Sequence, residues 1–501
     1  MKLIYIGNEY KYDTEAIMKL FLPDRHFEFE YGGGLPEIGT NCVRAPDEYA
    51  IMRKRVLREH ILLYVIAGYG GKREKAVCRL PLSEEDYCSE RLSRLLYEAM
   101  SRLTGQTSEW GILTGVRPVK QVRRLTALGM SRDEAIKELK AQYLVSDKKC
   151  RLACDTAAVQ QPILDDLESR RGKAFALYIS VPFCPSRCSY CSFISQAASG
   201  NSVKKMIPPY VDNLCREIVF TAEIMGRLGM APDSVYIGGG TPTTLSAEQL
   251  ARIMKTAAGS FDMSLVKEYT VEAGRPDTIT PEKLKAILEN GCTRLSVNPQ
   301  TLNDDILRGI GRAHTAAQFF ESFELARRMG LTSINTDVIA GLPDESPESF
   351  RATIDGLTAL SPESITVHTL SIKRAARLGA GDEQRSNVMK SPAAEMVDYA
   401  AETLCAAGYR PYYMYRQKNM VDNLENIGYV KPGHESLYNI AIMEEVEPII
   451  ALGAAGSTKL IGRDGRMIRI FNYKYPADYN AGLELMLERK KEIEDFYAAE
   501  K

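Results

Sequence analysis

The chain has 501 residues, which predicts about three domains at roughly 150 residues each. Its formal net charge is −1, so composition gives no basic surface for nucleic acid or an anionic membrane, and no apolar run approaches the roughly 18 residues of a membrane span. The N-terminus lacks the features of a signal peptide, and the eleven cysteines follow no disulfide framework. We therefore expect a cytoplasmic protein that binds neither nucleic acid nor membrane.

The first third of the chain, residues 1–168, has the pattern of an α/β domain followed by helices. A glycine-rich turn near residue 70 separates two runs that are typical of a β-hairpin. From residue 83 to about 167, apolar residues recur every three to four positions, which indicates helices. The other predicted elements are strands over 2–6 and 27–31, a helix over 14–21, and hairpin strands over 60–66 and 74–80.

Residues 172–385 alternate strand and helix. Six such units without antiparallel patterning predict a parallel barrel that stays open, and in such barrels the chemistry lies at the C-terminal ends of the strands. Strands are predicted over 177–181, 234–237, 268–272, 294–297, 333–339 and 364–370. Helices are predicted over 210–228, 247–261, 281–289, 316–329 and 347–357.

Residues 386–501 read as helices with short strands and loops. The predicted fold class is therefore α/β. It combines an N-terminal α/β domain, a partial (β/α)6 barrel and a mainly helical C-terminal cap over the substrate.

Three cysteines follow the first barrel strand at C-x3-C-x2-C spacing: Cys184, Cys188 and Cys191. They can supply three thiolates, one fewer than a closed four-cysteine iron–sulfur site. A [4Fe–4S] cluster held in this way keeps one iron free for the reductive cleavage of S-adenosylmethionine (SAM), and the spacing is the signature of radical SAM proteins. The alternatives are unrelated thiols, or a zinc site that lacks its fourth ligand.

Polar groups recur after the strands that follow. A glycine turn, Gly238-Gly239-Gly240-Thr241-Pro242-Thr243, comes directly after the second barrel strand and leaves backbone groups free to meet a ligand. Each polar residue taken alone fits a surface or ion-pairing role. Their coincidence at consecutive strand ends predicts a shared pocket for ammonium, carboxylate, ribose and adenine groups. These residues are Glu272, Gln300, Arg312 and Asp337.

Taken together, the motifs between residues 175 and 372 resemble the oxygen-independent coproporphyrinogen III oxidase family of radical SAM proteins. Stretches 111–118 and 412–420 are similar to its HemZ-type coproporphyrinogen dehydrogenase branch. The motifs are Tyr178, Val181-Pro182-Phe183-Cys184, the glycine turn, Val271-Glu272-Ala273, Arg294-Leu295-Ser296 with Gln300, and Asp337 with Gly341-Leu342-Pro343.

The resemblance implies a radical SAM barrel that binds a [4Fe–4S] cluster and one SAM molecule, or two. The cluster ligands would be Cys184, Cys188 and Cys191, and the first SAM would contact Tyr178, Gly239 and Glu272. The second SAM would contact Tyr190, Gly240, Thr241, Gln300, Arg312 and Asp337. The implied activity is oxidative decarboxylation of coproporphyrinogen III to protoporphyrinogen IX in haem biosynthesis, with electrons from a reductase, a flavodoxin or a ferredoxin.

One departure bears on the substrate. Phe193 stands where the oxidase has a fourth cysteine, and Cys-x-Phe is the pattern of the haem-chaperone relatives. Those relatives also carry a His-Asn-x-x-Tyr-Trp motif, of which this chain keeps His434 and Tyr438 but not the Asn or Trp. The alternatives are therefore a haem-binding chaperone, or a radical SAM enzyme acting on another tetrapyrrole such as haem.

Several residues keep two interpretations. His434 fits a loop histidine better than an axial haem ligand. The tyrosines and cations of 412–420 either stack on a tetrapyrrole and pair with its propionates or pack inward, and His368 either meets substrate or belongs to the core. Further cations that suit propionates follow the sixth barrel strand: Lys373, Arg374 and Arg377.

Overall fold

The structure is a computed structural model that describes residues 1–23, 25–32, 48–115, 117–193, 195–371, 378, 392–417 and 420–499. The chain forms two compact units. Unit 1 comprises Met1–Cys154 and Arg416–Leu424, and unit 2 comprises Asp155–Tyr415 and Glu425–Lys501. The finer division of the chain near residues 168–172 and 385–386 stays a prediction.

Unit 1 is built on a five-stranded sheet. Its strands are β1 (Lys2–Ile6), β2 (Glu28–Gly32), β3 (Tyr49–Val56), β4 (His60–Tyr69) and β5 (Lys72–Pro81). They lie in the order β2-β1-β3-β4-β5, with β1 parallel to both neighbours and β3, β4 and β5 antiparallel. The predicted hairpin is confirmed, and its strands run up to the turn at Gly70 and Gly71, whose positive φ angles suit glycine.

The helices of unit 1 supply its main core. Lys11–Phe21 and Cys88–Thr104 place apolar side chains against one face of the sheet, where Leu63, Leu92 and Leu96 are fully buried. The predicted helical character of residues 83–167 is also confirmed. The further helices in this part of the chain are Val119–Ala127, Arg132–Tyr143 and Asp147–Ser169.

Unit 2 contains the predicted parallel strands. The six are β6 (Ala174–Val181), β9 (Ala231–Gly239), β10 (Glu268–Glu272), β11 (Arg294–Ser296), β12 (Ile334–Ala340) and β13 (Ser364–Thr369). They pair in that order, each parallel to the next. Between the first two lie β7 (Phe183–Cys184) and β8 (Gln196–Ala197), a small parallel pair. The six parallel strands confirm the predicted partial barrel.

Five strands from the C-terminal region extend this sheet at both ends, which the sequence pattern did not indicate. They are β14 (Arg410–Tyr415), β15 (Asn426–Val430), β16 (Ile449–Leu452), β17 (Ser457–Ile461) and β18 (Met467–Phe471). β15 and β14 continue antiparallel beyond β13, while β16 joins parallel to β6 and leads to β17 and β18. The eleven strands have an open linear order, and among the described residues β14 and β18 do not pair.

Helices cover this sheet. Ser246 and Thr315 begin two of them with capping boxes, which satisfy the first free backbone N–H groups. None of the helices in the described part of the chain has the length and apolar character that a membrane span requires. The helices are Asn201–Leu228, Ala247–Ser260, Pro281–Glu289, Asp304–Gly309, Ala316–Arg328, Pro347–Leu360, Ala393–Ala406, Leu437–Glu444, Pro476–Ala481, Leu483–Lys490 and Glu492–Ala498.

The C-terminal ends of the parallel strands share one edge of the unit 2 sheet because neighbouring strands are in register. Val181 pairs with Gly239, Glu272 with Ser296, and Ala340 with Thr369. The cysteine loop and the glycine turn both leave the sheet at this edge, which is where the barrel architecture places chemistry.

Candidate functional site

The cysteine loop is held by the loops around it. Ser189 N–H donates to the Ile310 carbonyl over 2.9 Å, and Ser186 Oγ donates to the Gly311 carbonyl over 3.2 Å. The Ala198 N–H donates to the Cys184 carbonyl over 2.7 Å, which closes the loop on itself. These contacts fix the backbone that carries the three cysteines.

The three thiols lie close enough to affect one another. Burial raises the pKa of the Cys184 thiol, and Cys188 raises it further. Burial also raises the pKa of Cys191, as do both other thiols. Among the described residues, no three His, Cys, Asp or Glu side chains converge on one point as a single metal ion requires.

The glycine turn packs directly on the cysteine loop. Gly240 N–H donates to the Val181 carbonyl over 2.9 Å, and Thr241 N–H donates to the Phe183 carbonyl over 2.7 Å. A Cβ on Gly240 would lie 2.6 Å from the Phe183 carbonyl oxygen, and Gly239 has a φ of +114°. Glycine is required at both positions because a side chain would separate the two loops.

Thr241 also contacts a predicted cluster ligand. Its hydroxyl lies 3.6 Å from Cys184 Sγ and is positioned to donate to it. Thr241 itself is buried, which fixes the direction of this hydroxyl.

Glu272 is half-buried at the end of β10, beside a stack of three tyrosine rings. Tyr236 donates a hydrogen bond of 2.6 Å to Glu272 Oε1. The rings of Tyr178, Tyr236 and Tyr438 stack with centroids 4.4–6.2 Å apart. Burial raises the pKa of Glu272 to about 7, the Tyr236 hydrogen bond opposes this shift, and the Asp337 charge adds to it. Glu272 and Asp337 thus face a common space.

Asp337 is held as an anion. Burial alone would raise its pKa, but interactions with His368, Asn335 and Thr366 outweigh burial and lower it. Asn335 Nδ2 donates over 2.8 Å, and His368 Nε2 lies 3.8 Å from Asp337 Oδ2. His368 therefore lies beside Asp337, and whether it meets substrate stays a prediction.

Gln300 has an unusual conformation at the same edge. Its φ is +70°. Two backbone hydrogen bonds join it to β12: Gln300 N–H donates to the Asp337 carbonyl over 2.9 Å, and Ile339 N–H donates to the Gln300 carbonyl over 3.0 Å. The side chain is 94% buried, and Oε1 has no hydrogen-bond partner among the described residues. A strained backbone and an unused buried acceptor are typical of a ligand contact.

Arg312 ties three segments of the site together. It is buried and donates to the carbonyls of Gly274 (3.0 Å) and Asn298 (2.7 Å), and to the Tyr190 hydroxyl (3.2 Å). Burial would lower its pKa, and the neighbouring Tyr190 and Cys188 raise it. Its Nε has no partner in the described part of the chain, so one donor is left for a ligand. Arg312 therefore connects the cysteine loop to the segments that follow β10 and β11.

His434 lies at the opposite end of the barrel. Its carbonyl accepts a 2.9 Å hydrogen bond from Arg294, the first residue of β11, whereas the cysteine loop follows the last residue of β6. Nearby, Ser436 donates to Glu268, the first residue of β10. The segment therefore lies at the N-terminal end of the barrel. His434 is not placed to bind a haem iron beside the cysteines.

The aromatic segment that begins at Tyr412 packs inward. Tyr412 and Tyr413 are buried against Leu164, Leu167 and neighbouring apolar side chains of unit 2. Arg416 belongs to unit 1, where it is buried, donates to the carbonyls of Leu113 and Asn423, and lies over the Trp110 ring. The interpretation of these tyrosines and Arg416 as propionate contacts is wrong. Lys373, Arg374, Arg377 and Lys418 lie outside the described residues.

Three contacts were missed by sequence reasoning. Tyr236 lies in a predicted strand, two residues before Gly238. Because alternate residues of a strand share one face of the sheet, this spacing could have placed Tyr236 on the same face as Gly238. Tyr438 reaches the stack from a distant helix, and Arg275 reaches Cys188 from a short turn after β10. The sequence marks Tyr438 only as part of the haem-chaperone motif, and no local pattern marks Arg275 as a contact of Cys188.

The comparisons with known proteins agree with this geometry. Residues 178–357 match the family model of the Radical SAM superfamily. The chain is 39% identical over 389 residues to the oxygen-independent coproporphyrinogen-III oxidase-like protein HemZ of Bacillus subtilis (strain 168), covering 77% of each chain. The chain belongs to this HemZ family of radical SAM proteins. Both the predicted resemblance and the radical SAM fold class are confirmed.

Two further similar proteins share less sequence identity with this chain. It is 29% identical over 329 residues to the heme chaperone HemW of Lactococcus lactis, covering 64% of this chain and 80% of that one. The crystal structure of coproporphyrinogen III oxidase (HemN) from Escherichia coli aligns with 23% identity and a TM-score of 0.48, over 65% of this chain and 73% of that one.

Radical SAM proteins bind a [4Fe–4S] cluster and SAM, so the two predicted cofactors are confirmed at the level of the family. The residues present fit the cluster. It bonds thiolates at separate irons, so its ligands need not converge on one point. Donors that stabilise thiolates also lie beside the cysteines: the Thr241 hydroxyl at Cys184, and the Arg275 guanidinium at Cys188.

Proposed function

We propose that the chain catalyses the oxygen-independent oxidative decarboxylation of coproporphyrinogen III to protoporphyrinogen IX. The observation that carries this proposal is the 39% identity to the oxidase-like HemZ protein across 77% of both chains. In each of two propionates, a hydrogen atom would leave the β-carbon to the radical derived from SAM. Carbon dioxide and one electron would follow, the electron passing to a one-electron acceptor, so that a vinyl group remains.

The cluster and SAM together would supply the radical that abstracts the hydrogen atom. Cys184, Cys188 and Cys191 would hold the cluster. Tyr178, Gly239 and Glu272 would hold the SAM bound at its open iron. The close packing of the glycine turn on the cysteine loop supports this assignment, since it holds the Gly239 backbone against Val181, directly before the cysteines.

A second SAM molecule would contact the remaining residues of the edge. Gln300 Oε1 and Arg312 Nε support this, because both are buried and have no partner among the described residues. The anionic Asp337 suits ribose hydroxyl groups. Tyr190, Gly240 and Thr241 would complete the contacts. The reaction needs a low-potential one-electron donor, such as a reductase, a flavodoxin or a ferredoxin.

A haem chaperone is the second candidate. Phe193 favours it, because this residue follows the third cysteine as in the chaperones and its side chain is 69% exposed beside the loop. Against it, the chain lacks the Asn and Trp of the chaperone motif, and His434 lies at the far end of the barrel.

The two candidates separate in one anaerobic assay. The full-length protein is reconstituted with iron and sulfide and given SAM, dithionite and coproporphyrinogen III, and carbon dioxide and porphyrins are measured. We expect two carbon dioxide molecules per substrate and formation of protoporphyrinogen IX, both abolished in Cys188→Ala. SAM cleavage without decarboxylation, together with stoichiometric haem binding, would establish the chaperone instead.

A further inference from the structure

Arg275 is a buried arginine whose two edges have different partners. It lies three residues after Glu272 and is 2% exposed. Its Nε and Nη2 donate to the two oxygens of Asp277 over 3.0 and 3.1 Å. Its Nη1 lies 3.1 Å from Ser186 Oγ and 3.8 Å from Cys188 Sγ. The bidentate pair with Asp277 fixes the plane of the guanidinium, so the donor aimed at Cys188 cannot rotate away.

The three cysteines receive unequal hydrogen bonding. The neutral Thr241 hydroxyl is positioned to donate to Cys184, and the Phe193 backbone opposes the burial that raises the pKa of Cys191. Among the described residues, Cys188 accepts a hydrogen bond from a guanidinium group, that of Arg275, while the charges of Arg187 and Arg275 oppose the burial that raises the pKa of Cys191 and Cys184. His314, a further ionisable group in this region, has its pKa lowered to about 4 by burial and by Arg312 and Arg275. It is therefore neutral near pH 7, and the positive charge rests on the guanidinium groups.

We propose that Arg275 is a positioning residue that raises the reduction potential of the cluster through its hydrogen bond to Cys188, and that Asp277 limits this effect. Reduction adds a negative charge to the cluster, and a cation that donates to a cluster thiolate stabilises the reduced form. Asp277 places a negative charge on the far edge of the same guanidinium and so reduces its influence. The proposal concerns the cluster alone, so it does not depend on which tetrapyrrole is the substrate.

The test is a redox titration of the full-length reconstituted protein, without SAM or substrate, followed by the electron paramagnetic resonance of the reduced cluster. Arg275→Gln should shift the midpoint potential to a more negative value. Asp277→Asn should shift it to a more positive value, because the guanidinium is then uncompensated. A purely structural role for this pair would not produce shifts of opposite sign.

The matched control is Arg252→Gln, which removes an exposed arginine paired with Asp212 on the surface of the same unit. It should leave the potential unchanged. Arg275→Gln removes half of a buried ion pair, so iron content and thermal unfolding are measured for each variant. If that variant assembles no cluster, Asp277→Asn decides. A potential for Asp277→Asn equal to that of the Arg252→Gln control, or shifted negative, overturns the proposal.

Discussion

Tyr236 and Glu272 join neighbouring strands of the barrel at the point where both reach the site. The Tyr236 hydroxyl donates to Glu272 Oε1 over 2.6 Å, and the ring above it stacks on Tyr178 and Tyr438. The hydrogen bond stabilises the ionised carboxylate against the burial that raises its pKa to about 7. A carboxyl group balanced in this way changes charge within the range in which enzymes operate.

This balance predicts a pH dependence of SAM binding. Above about pH 7 Glu272 is ionised and, in its proposed role, would accept hydrogen bonds from the SAM amino group, so the affinity should rise between pH 6 and 7.5, by up to about tenfold per unit. Tyr236→Phe removes the hydrogen bond that lowers this pKa, so the rise should move to higher pH. Equilibrium dialysis of the reconstituted protein measures both effects. Affinity that does not change with pH in the wild type would contradict the role of Glu272.

The contact between the glycine turn and the cysteine loop predicts that Gly240→Ala is damaging. The added methyl group would meet the Phe183 carbonyl at 2.6 Å and push the two loops apart. We expect lower iron content after reconstitution and a loss of SAM binding of at least about tenfold, since such displacement costs more than about 1.4 kcal/mol. Gly259→Ala is the control, because its methyl group would meet nothing within 4 Å. Equal iron content in both variants would refute the prediction.

Arg416→Ala should destabilise unit 1 without altering substrate affinity. The guanidinium is buried and hydrogen-bonds to two carbonyls, so its loss should cost about 2–3 kcal/mol. Trp110 is the only tryptophan of the chain, and its ring lies 5.4 Å from this guanidinium, so its fluorescence reports urea unfolding of unit 1. A raised KM for coproporphyrinogen with an unchanged tryptophan transition would restore the propionate-binding interpretation.

A buried carboxyl pair at the start of β9 predicts a pH-dependent stability. Burial raises the pKa of both Asp233 and Glu447, and each carboxyl is the other's neighbour, while Arg170 pairs with Asp233 at 2.6 Å. Both pKa values are higher in the folded state than in the unfolded state. The protonated carboxyl groups therefore contribute fully to the free energy of unfolding below about pH 4, and this contribution is lost as the pH rises through the pKa values of the folded state.

Glu447→Gln removes one of these charges and leaves the Asp233–Arg170 pair intact. The variant should therefore melt about 1–3 °C above the wild type at pH 8, with a smaller difference at pH 5. Asp233→Asn should not stabilise, because it takes the partner from Arg170. Differential scanning calorimetry at the two pH values measures these melting temperatures. If Glu447→Gln and the wild type differ by the same amount at pH 5 and at pH 8, the two carboxyl groups do not share the cost of a buried charge.

The barrel itself could be predicted because its parallel strands are buried on both faces and read as short apolar runs between turn residues. The placement of the C-terminal strands could not. Ile449 pairs beside Ala176, far away along the chain, and the apolar pattern of a short strand does not specify its neighbour.

The site divides in the same way. Glu272 and Asp337 were predictable because Glu272 ends one predicted strand and Asp337 lies in the C-terminal half of another, and parallel strand ends meet at one edge. Arg275 was not, because its role comes from a turn that directs its side chain at Cys188, and no spacing in the sequence encodes that contact. The inward packing of Tyr412 and the outward position of Phe193 likewise follow from tertiary neighbours.

The central claim is that the protein removes hydrogen atoms from the propionates of coproporphyrinogen III. Its most direct test uses coproporphyrinogen III deuterated at the β-carbons of the propionates, incubated anaerobically with the reconstituted protein, SAM and a reductant. Mass spectrometry of the 5′-deoxyadenosine formed should show one deuterium per molecule and two molecules per protoporphyrinogen IX. Unlabelled 5′-deoxyadenosine, formed at the same rate with or without the substrate, would contradict the account.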